Sequence, residues 1–300
     1  MRAVPSSEPC DFKGQPCAEL SLPEGDKVLV ALHGAQVVSW TTADGRERLY
    51  LSPDAVFDGV QPIRGGVPLC FPQFNQRVLA GEVLAKHGFG RTQTWALQDL
   101  TTTVAPGAPS AQATLVLHSH TNTLALWRHA FTAKLTVRLQ SGCLHIEFDL
   151  ENTDTASWPF ALALHTYLQV DGIDCCTLQG LERHAFWDAV VHLEAPDVVS
   201  IQADSALSFS GEIDRVYDNV CEPLMLQNAG GTVQLSQSAS LPDVVVWNPG
   251  ATRCAAIADM PAGGYQHMLC VEAACINTPV MLQPGQHWCG WQQLAVPALL

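Results

Sequence analysis

Two side chains of the sequence combine acid–base chemistry with apolar surroundings. Glu272 is the one charged residue in the strand-like segment Leu269-Cys-Val-Glu-Ala273. A carboxylate among apolar neighbours is costly unless it is paired or neutral, so its role is either structural, through a buried partner, or catalytic, through a raised pKa. His165 follows the apolar run Phe160–Leu164. A histidine there is either a group with a pKa near neutrality, suited to proton transfer, or a satisfied residue of the core or a strand edge.

Positive charge is concentrated in two glycine-containing segments. Lys86, His87 and Arg91 lie within six residues, and Arg64 begins the segment Arg64-Gly-Gly-Val-Pro68. Glycine lets a backbone approach a ligand closely, and arginine donates bidentate hydrogen bonds to anions. These residues could hold a phosphate or sugar hydroxyls. The alternatives are solvated loop charges in the first segment and a tight turn with a surface arginine in the second.

Two weaker signals come from an aspartate and a histidine pair. Asp214 begins Asp214-Arg-Val-Tyr217 and either binds hydroxyls or caps a turn. His118 and His120 would share one face of a strand and could bind a metal, but no cysteine or carboxylate lies near them in sequence, so we favour a plain strand. No CxxC pair is present either. We therefore expect neither a metal nor an organic cofactor.

The overall composition limits the classes of partner. A formal net charge of −14 argues against nucleic acids and anionic membranes, so any phosphate site must be a local basic pocket. The eleven cysteines are an odd number without zinc spacing, which predicts reduced, mostly buried thiols. The first residues lack the apolar run of a signal peptide, and no segment reaches the length of a membrane span. We expect a cytoplasmic monomer.

Short alternating or apolar segments recur along the chain and predict strands. In Leu144–Leu150 the apolar and polar residues alternate strictly, which is typical of a strand buried on one side. Many such segments between turn signals predict an all-β sandwich. The stretch 105–109 is a predicted loop and is too short to separate domains. We expect one domain at 20–300, preceded by an extension at 1–19.

Six segments together resemble the aldose 1-epimerase superfamily, and within it the hexose-6-phosphate mutarotase branch. They occur in the family's order, and the resemblance covers the chain from about residue 25 to 292. The segments are Arg64-Gly-Gly-Val-Pro68, His87-Gly-Phe-Gly-Arg91, Leu164-His-Thr-Tyr167, Asp214-Arg-Val-Tyr217, Val246-Trp-Asn-Pro249 and Cys270-Val-Glu-Ala273.

The resemblance implies a large antiparallel β-supersandwich with an active site in a cleft on one sheet face. His165 matches the family's catalytic histidine, and Glu272 matches its catalytic glutamate. Anomer interconversion removes a proton from the anomeric hydroxyl and protonates the ring oxygen. The two groups are expected on opposite sides of the pocket, with Glu272 as the base and His165 as the acid. Their roles exchange when the ring closes.

The resemblance also implies the residues that hold a hexose 6-phosphate. Arg64 and Arg91 match residues that grip the sugar phosphate, and Lys86 would add to them. Asp214 matches an aspartate that contacts sugar hydroxyls, and His87 matches a residue that lines the pocket.

Two positions depart from the family's pattern. Lys86 stands where some relatives have glutamine, which would strengthen the phosphate contact or alter hydroxyl recognition. Asn75 stands where many relatives have glycine, which leaves the local loop conformation open.

Three other functions stay open. An aldose 1-epimerase acting on free sugars would use the same acid–base pair without a phosphate site. A non-catalytic carbohydrate-binding protein would not need both His165 and Glu272. A glycoside-processing enzyme would need two suitably placed carboxylates.

Overall fold

A computed structural model of the protein describes residues 4–76, 81, 84–104 and 108–297. The first ten strands are β1 (Ser6–Phe12), β2 (Gln15–Ser21), β3 (Lys27–Ala31), β4 (Gln36–Thr41), β5 (Leu69–Cys70), β6 (Ala96–Thr103), β7 (Ser110–His118), β8 (Phe131–Gln140), β9 (Cys143–Asn152) and β10 (Trp158–Leu164). The following strands are β11 (Tyr167–Gln169), β12 (Thr177–Gln179), β13 (Ala185–Asp188), β14 (Val199–Ile201), β15 (Ala206–Ser208), β16 (Ile213–Tyr217), β17 (Leu224–Asn228), β18 (Gly231–Gln237), β19 (Asp243–Asn248), β20 (Met268–Leu282) and β21 (His287–Ala295).

Helices are few and short among the described residues. They are α1 (Thr121–Leu126), α2 (Gly250–Cys254) and three 3-10 turns at Gly90–Thr92, Ile173–Cys175 and Gly264–His267. In the part of the chain that the structure describes, no helix has the length and apolar character needed to cross a membrane.

The strands form three sheets. A four-stranded sheet has the order β1-β2-β3-β4. An eight-stranded sheet has the order β14-β13-β16-β19-β20-β10-β5, with β11 also paired to β20, and a nine-stranded sheet has the order β15-β12-β17-β18-β21-β9-β8-β7-β6. The strand pairs within them are antiparallel. The predicted all-β class is confirmed.

Strand β9 shows how alternation in the sequence builds the main core. Leu144, Ile146, Phe148 and Leu150 are at most 1 % exposed, and the polar residues between them are half-buried on the opposite face. The strand pairs with β8 on one side and β21 on the other, so its apolar face lies within a continuous sheet. Burial of each such side chain contributes about 1.5–3 kcal/mol. The strand predicted to be buried on one side is confirmed.

Strand β20 is buried on both faces where it carries Glu272. One set of alternate residues belongs to the main core, namely Leu269, Val271, Ala273 and Cys275. Residues of the other parity, Cys270 and Ala274, pack into smaller clusters on the opposite face. Because side chains alternate along a strand, Glu272 points to that second face, away from the main core.

An irregularity divides β20 into two parts. Between Cys275 and Val280, β20 advances five residues while its partner β10 advances only two. The additional residues bulge out of the ladder. Asp243 holds the bulge, because its Oδ2 accepts hydrogen bonds from the backbone N–H groups of Ile276 at 2.6 Å and Asn277 at 2.8 Å.

Residues 6–21, at the start of the described part of the chain, are part of a sheet. β1 pairs with β2, and β2 pairs with β3. The boundary predicted at residue 20 therefore falls within β2, and the division of the chain into an extension and a domain stays a prediction. Of the predicted loop at 105–109, residues 105–107 lie outside the described residues.

The histidine pair singled out in the sequence is split between two elements. His118 ends β7, and its Nδ1 lies 3.2 Å from Thr132 Oγ1. His120 precedes α1, where its Nδ1 accepts a hydrogen bond from the backbone N–H of Asn122 at 3.3 Å. The expectation of a strand through both is wrong for His120, because its side chain and backbone cap the helix instead.

Candidate active site

One pocket brings the seven predicted site residues together. It lies on the second face of β20 and has a volume of about 110 Å³. The predicted residues that line it are Arg64, Lys86, His87, Arg91, His165, Asp214 and Glu272. Six further lining residues carried no predicted role: Phe74, Asn75, Tyr167, Val245, Trp247 and Arg253. These side chains come from β11, β16, β19, β20, α2 and the loops around β5 and β10, so only the folded sheet assembles them.

His165 is fixed immediately after the end of β10. Its backbone N–H donates a hydrogen bond to the carbonyl oxygen of Pro68 at 2.9 Å. Its ring stacks on Tyr167 with 4.9 Å between centroids and meets Trp247 edge-on at 6.0 Å. These contacts hold the imidazole in one orientation within the pocket wall.

His165 and Glu272 lie in direct contact, although they are more than a hundred residues apart in the sequence. Nδ1 of the imidazole is 3.2 Å from Oε1 of the carboxyl group, but the angles between the groups are not those of a hydrogen bond. His165 is 7 % exposed and Glu272 only 1 %. Oε2 of Glu272 has no hydrogen-bond partner among the described residues. A buried acid and a buried base are thus placed side by side.

Burial sets the protonation of this pair. It raises the pKa of Glu272 well above the ordinary value, and Asp214 raises it further, while Lys86 and Arg91 act in the opposite direction. Burial lowers the pKa of His165 well below the ordinary value, and the neighbouring cations, first Arg91, add to this effect. Loss of solvation disfavours the charged form of either group. Both shifts favour a protonated, neutral Glu272 beside a neutral His165.

The pair does not span the pocket as the chemical argument from sequence expected. Glu272 and His165 are neighbours on one wall. This placement still serves an anomeric centre, because the hydroxyl that loses a proton and the ring oxygen that gains one are bonded to the same carbon atom. Two adjacent proton-transfer groups can therefore reach both oxygens.

Arg64 is held rigidly at the pocket wall. Its Nε donates to Asp259 Oδ1 at 3.0 Å and its Nη1 to the Tyr167 hydroxyl at 3.1 Å. The two glycines that follow have positive φ, 113° at Gly65 and 62° at Gly66. A Cβ atom at Gly65 would collide with the backbone carbonyl of Tyr50, and one at Gly66 with the backbone of β4. The two glycines therefore serve close chain packing rather than approach to a ligand.

The loop from Lys86 to Arg91 carries the remaining predicted cations. His87 and Gly88 both have positive φ, and a Cβ atom at Gly88 would collide with a backbone carbonyl. The backbone N–H of Asn75 donates to His87 Nδ1 at 3.2 Å. Nη2 of Arg91 donates to the Lys86 carbonyl at 2.9 Å, and its buried Nε has no partner among the described residues. The loop is thus folded on itself with its charges toward the pocket.

The conformation left open at Asn75 is a left-handed one. Its φ is 53°, in the region that glycine adopts most easily and asparagine tolerates. The asparagine therefore keeps the backbone path that a glycine would take. Its N–H is also the donor that orients His87.

Asp214 lies on β16 opposite Trp247 of β19. Burial raises the pKa of Asp214 to about 6, and the positive charges of Arg253 and then Lys86 act against this rise. A carboxylate in this position can accept hydrogen bonds from hydroxyl groups of a ligand.

The sequence analysis gave no role to some residues that line the pocket, although two of them lie in motifs that it quoted. Tyr167 and Trp247 stood inside quoted motifs and pack on His165, but no role was given to them. Arg253 lies four residues beyond the quoted motif Val246-Trp-Asn-Pro249, outside every quoted segment, and the sequence argument gave it no role.

Comparisons with known proteins point to one family. The sequence pattern of the family described as aldose 1-epimerase matches residues 16–295. A protein of Cenchrus ciliaris named "Putative glucose-6-phosphate 1-epimerase" is 35 % identical over 276 residues, which cover 90 % of this chain and 81 % of the relative. A protein of Escherichia coli with the same name is 32 % identical and covers 83 % of this chain and 79 % of the relative.

The fold has a close counterpart among solved structures. The crystal structure of a "putative mutarotase" from Salmonella typhimurium superposes with a TM-score of 0.84 at 27 % identity, and covers 98 % of this chain and 93 % of the other. The antiparallel β fold and these matches define a sugar-epimerising isomerase. The chain belongs to the aldose 1-epimerase family, as the motifs predicted.

Proposed function

We propose that the protein interconverts the α and β anomers of glucose 6-phosphate and related hexose 6-phosphates. The contact between His165 and Glu272, inside a pocket that also holds the three cationic side chains predicted from the sequence, carries this proposal. The names of the relatives support the same substrate. The free-sugar epimerase remains the alternative, since it would use the same pair.

The number of protons held by His165 and Glu272 together is the number that ring opening requires. Neutral Glu272 beside neutral His165 contains as many protons as a carboxylate beside an imidazolium. A small rotation of either side chain would bring the two groups into hydrogen-bond geometry, and movement of one proton from Glu272 to His165 then creates the base and the acid. The carboxylate then takes the proton of the anomeric hydroxyl while the imidazolium protonates the ring oxygen, and the bond from C1 to the ring oxygen breaks. Lys86 and Arg91 favour the carboxylate form.

Ring closure uses the same groups in reverse. After opening, Glu272 holds the proton and His165 is neutral, which is the state that burial favours. Rotation about the C1–C2 bond presents the other face of the aldehyde. Neutral His165 then takes the proton of the chain hydroxyl as its oxygen bonds to C1, and Glu272 gives its proton to the carbonyl oxygen, which becomes the anomeric hydroxyl. No net proton is gained or lost over the cycle.

A local cluster of cations suits a phosphorylated sugar on a chain whose net charge is −14. We assign Arg64, Arg91 and Lys86 to the phosphate, since each charge-assisted hydrogen bond contributes about 1.5–3 kcal/mol. Asp214 is assigned to sugar hydroxyls, and His87 to the pocket wall. We further propose a cytoplasmic monomer without nucleic-acid or membrane partners, which agrees with eleven cysteines that are all free.

Anomer exchange measured by NMR tests the proposal directly. Purified protein is added to glucose 6-phosphate and, separately, to free glucose at equilibrium. We expect fast exchange of the phosphosugar and much slower exchange of glucose. Exchange no faster than in buffer for both sugars would reject the enzyme assignment and favour a binding protein. Equal acceleration of both sugars would favour the free-sugar epimerase.

A further inference from the structure

A fourth cation lines the pocket without a role in the argument above. Arg253 belongs to α2, which follows directly after β19. The helix is anchored at its start, because Gly250 donates its N–H to Asn248 Oδ1 at 2.8 Å. Gly250 has a φ of 60°, and a Cβ atom there would lie 2.7 Å from the backbone nitrogen of Glu212. The start of α2 is therefore fixed against the Glu212 backbone.

An ion pair orients the Arg253 side chain. Its Nη1 donates to Glu212 Oε1 at 2.7 Å, and the two side chains are 46 % and 29 % exposed. A guanidinium group has five N–H donors in a planar fork. One bond to Glu212 leaves donors for a ligand in the pocket. Glu212 thus holds the arginine without saturating it.

Arg253 lines the same pocket as Lys86 and Asp214, and its charge acts on both of them. Burial lowers the pKa of Lys86, and Arg253 is the charged neighbour that lowers it most. Arg253 also opposes the burial-raised pKa of Asp214 more strongly than any other charge does. Two cations facing one small pocket repel each other, and a bound dianion relieves that repulsion.

We propose that Arg253 is a specificity-determining residue that binds the phosphate of the substrate together with Lys86, and that Glu212 positions its guanidinium group. This inference rests on the proposed function, since it assumes a phosphorylated sugar. The inference adds Arg253 to the three cationic residues that the sequence assigned to the phosphate. The Arg253 side chain is half-exposed, so its guanidinium group is accessible to a phosphate that enters the pocket.

Substitution of Arg253 in the full-length protein tests the inference. Arg253→Met removes the charge and keeps the aliphatic volume, and Arg138→Met is the matched control, since Arg138 lies on β8 in the other sheet. We expect Arg253→Met to raise the KM for glucose 6-phosphate about tenfold, the low end for a charge-assisted contact because the side chain is half-exposed. Arg138→Met should change it less than about 1.5-fold.

Two further variants separate binding from a structural role. Arg253→Lys should recover part of the lost affinity, because it restores the charge without the fork. Glu212→Gln breaks the same ion pair but keeps the arginine, so it should raise KM only about threefold. A Glu212→Gln loss equal to that of Arg253→Met, or a KM for Arg253→Met equal to that of the Arg138→Met control, would overturn the inference. Melting temperatures of all variants show whether each is folded.

A binding measurement keeps the inference distinguishable from the proposed function. Inorganic phosphate is titrated calorimetrically into the wild type and Arg253→Met. Weaker phosphate binding by Arg253→Met supports the anion site even if the wild type fails to accelerate anomer exchange. Equal phosphate affinity of the two proteins rejects the role of Arg253 whether or not the enzyme is active.

Discussion

Replacement of Glu272 by glutamine removes one proton-transfer group with little change of shape. The side chain is 1 % exposed and its neutral acid form is favoured, so a neutral amide of the same size leaves neither a cavity nor a new buried charge. His165, 3.2 Å away, keeps its neighbour but loses the partner with which it exchanges a proton. We therefore expect a folded protein with impaired chemistry.

The expected loss follows from the value of one positioned acid–base group. Such a group contributes about 10²- to 10⁴-fold, which corresponds to about 3–5 kcal/mol of activation free energy. We expect the kcat for glucose 6-phosphate exchange to fall by this factor, with KM changed less than about threefold because the amide still fills the pocket.

The assay compares wild type, Glu272→Gln and a remote control by NMR exchange spectroscopy of the two anomers. Glu151→Gln is a suitable control, because it makes the same chemical change on β9 in the opposite sheet. Retention of more than about a tenth of the wild-type rate by folded Glu272→Gln would refute its assignment as the base. A similar loss in the control would show that the effect is not specific to the pair.

Three further outcomes are expected. Arg64→Ala and Arg91→Ala should each raise the KM for glucose 6-phosphate about 10- to 100-fold; steady-state exchange rates check this, and equal losses on free glucose would contradict a phosphate role. The pKa of Glu272 is higher in the folded protein than its ordinary value of 4.5, so the folded state is stabilised by the proton and loses this stabilisation as the pH rises. Above pH 4.5 the wild type should therefore lose up to about 1.4 kcal/mol of unfolding free energy per pH unit relative to Glu272→Gln. Urea denaturation at several pH values checks this, and parallel pH dependences of the two proteins would exclude this titration. Gly88→Ala should lower the free energy of unfolding by about 2 kcal/mol or more, because the positive φ of Gly88 and a nearby carbonyl leave no room for a methyl group. Gly172→Ala, with open space around it, should change this free energy by less than about 0.5 kcal/mol. Equal unfolding midpoints for the two variants would contradict the packing argument.

The sequence predicted the fold class because alternation in strands is a local property. The strict pattern of Leu144–Leu150 reports which side of β9 faces the core, and the structure agrees. The site was located through motifs shared with a family, and all seven of the residues so selected line one pocket. Their individual roles stay predictions.

Contacts between strands that are distant in the sequence could not be predicted from local sequence patterns. Alternation assigns Glu272 to a face of β20 but cannot say that the end of β10 places His165 beside it on the same wall. The partner of Arg64, Asp259, lies almost two hundred residues further along the chain. Arg253 depends on the placement of a five-residue helix by a glycine turn, which no periodicity records.

The bulge in β20 makes the two halves of the strand respond differently to insertions and deletions. A shift of one residue in a strand exchanges its faces, so an insertion or deletion next to Glu272 would turn the carboxyl group into the core. The bulge between Cys275 and Val280 contains more residues than the part of β10 opposite it, and Asp243 holds it through two backbone hydrogen bonds. An insertion or deletion there can be absorbed within the bulge, so the segment that bears Glu272 keeps its register.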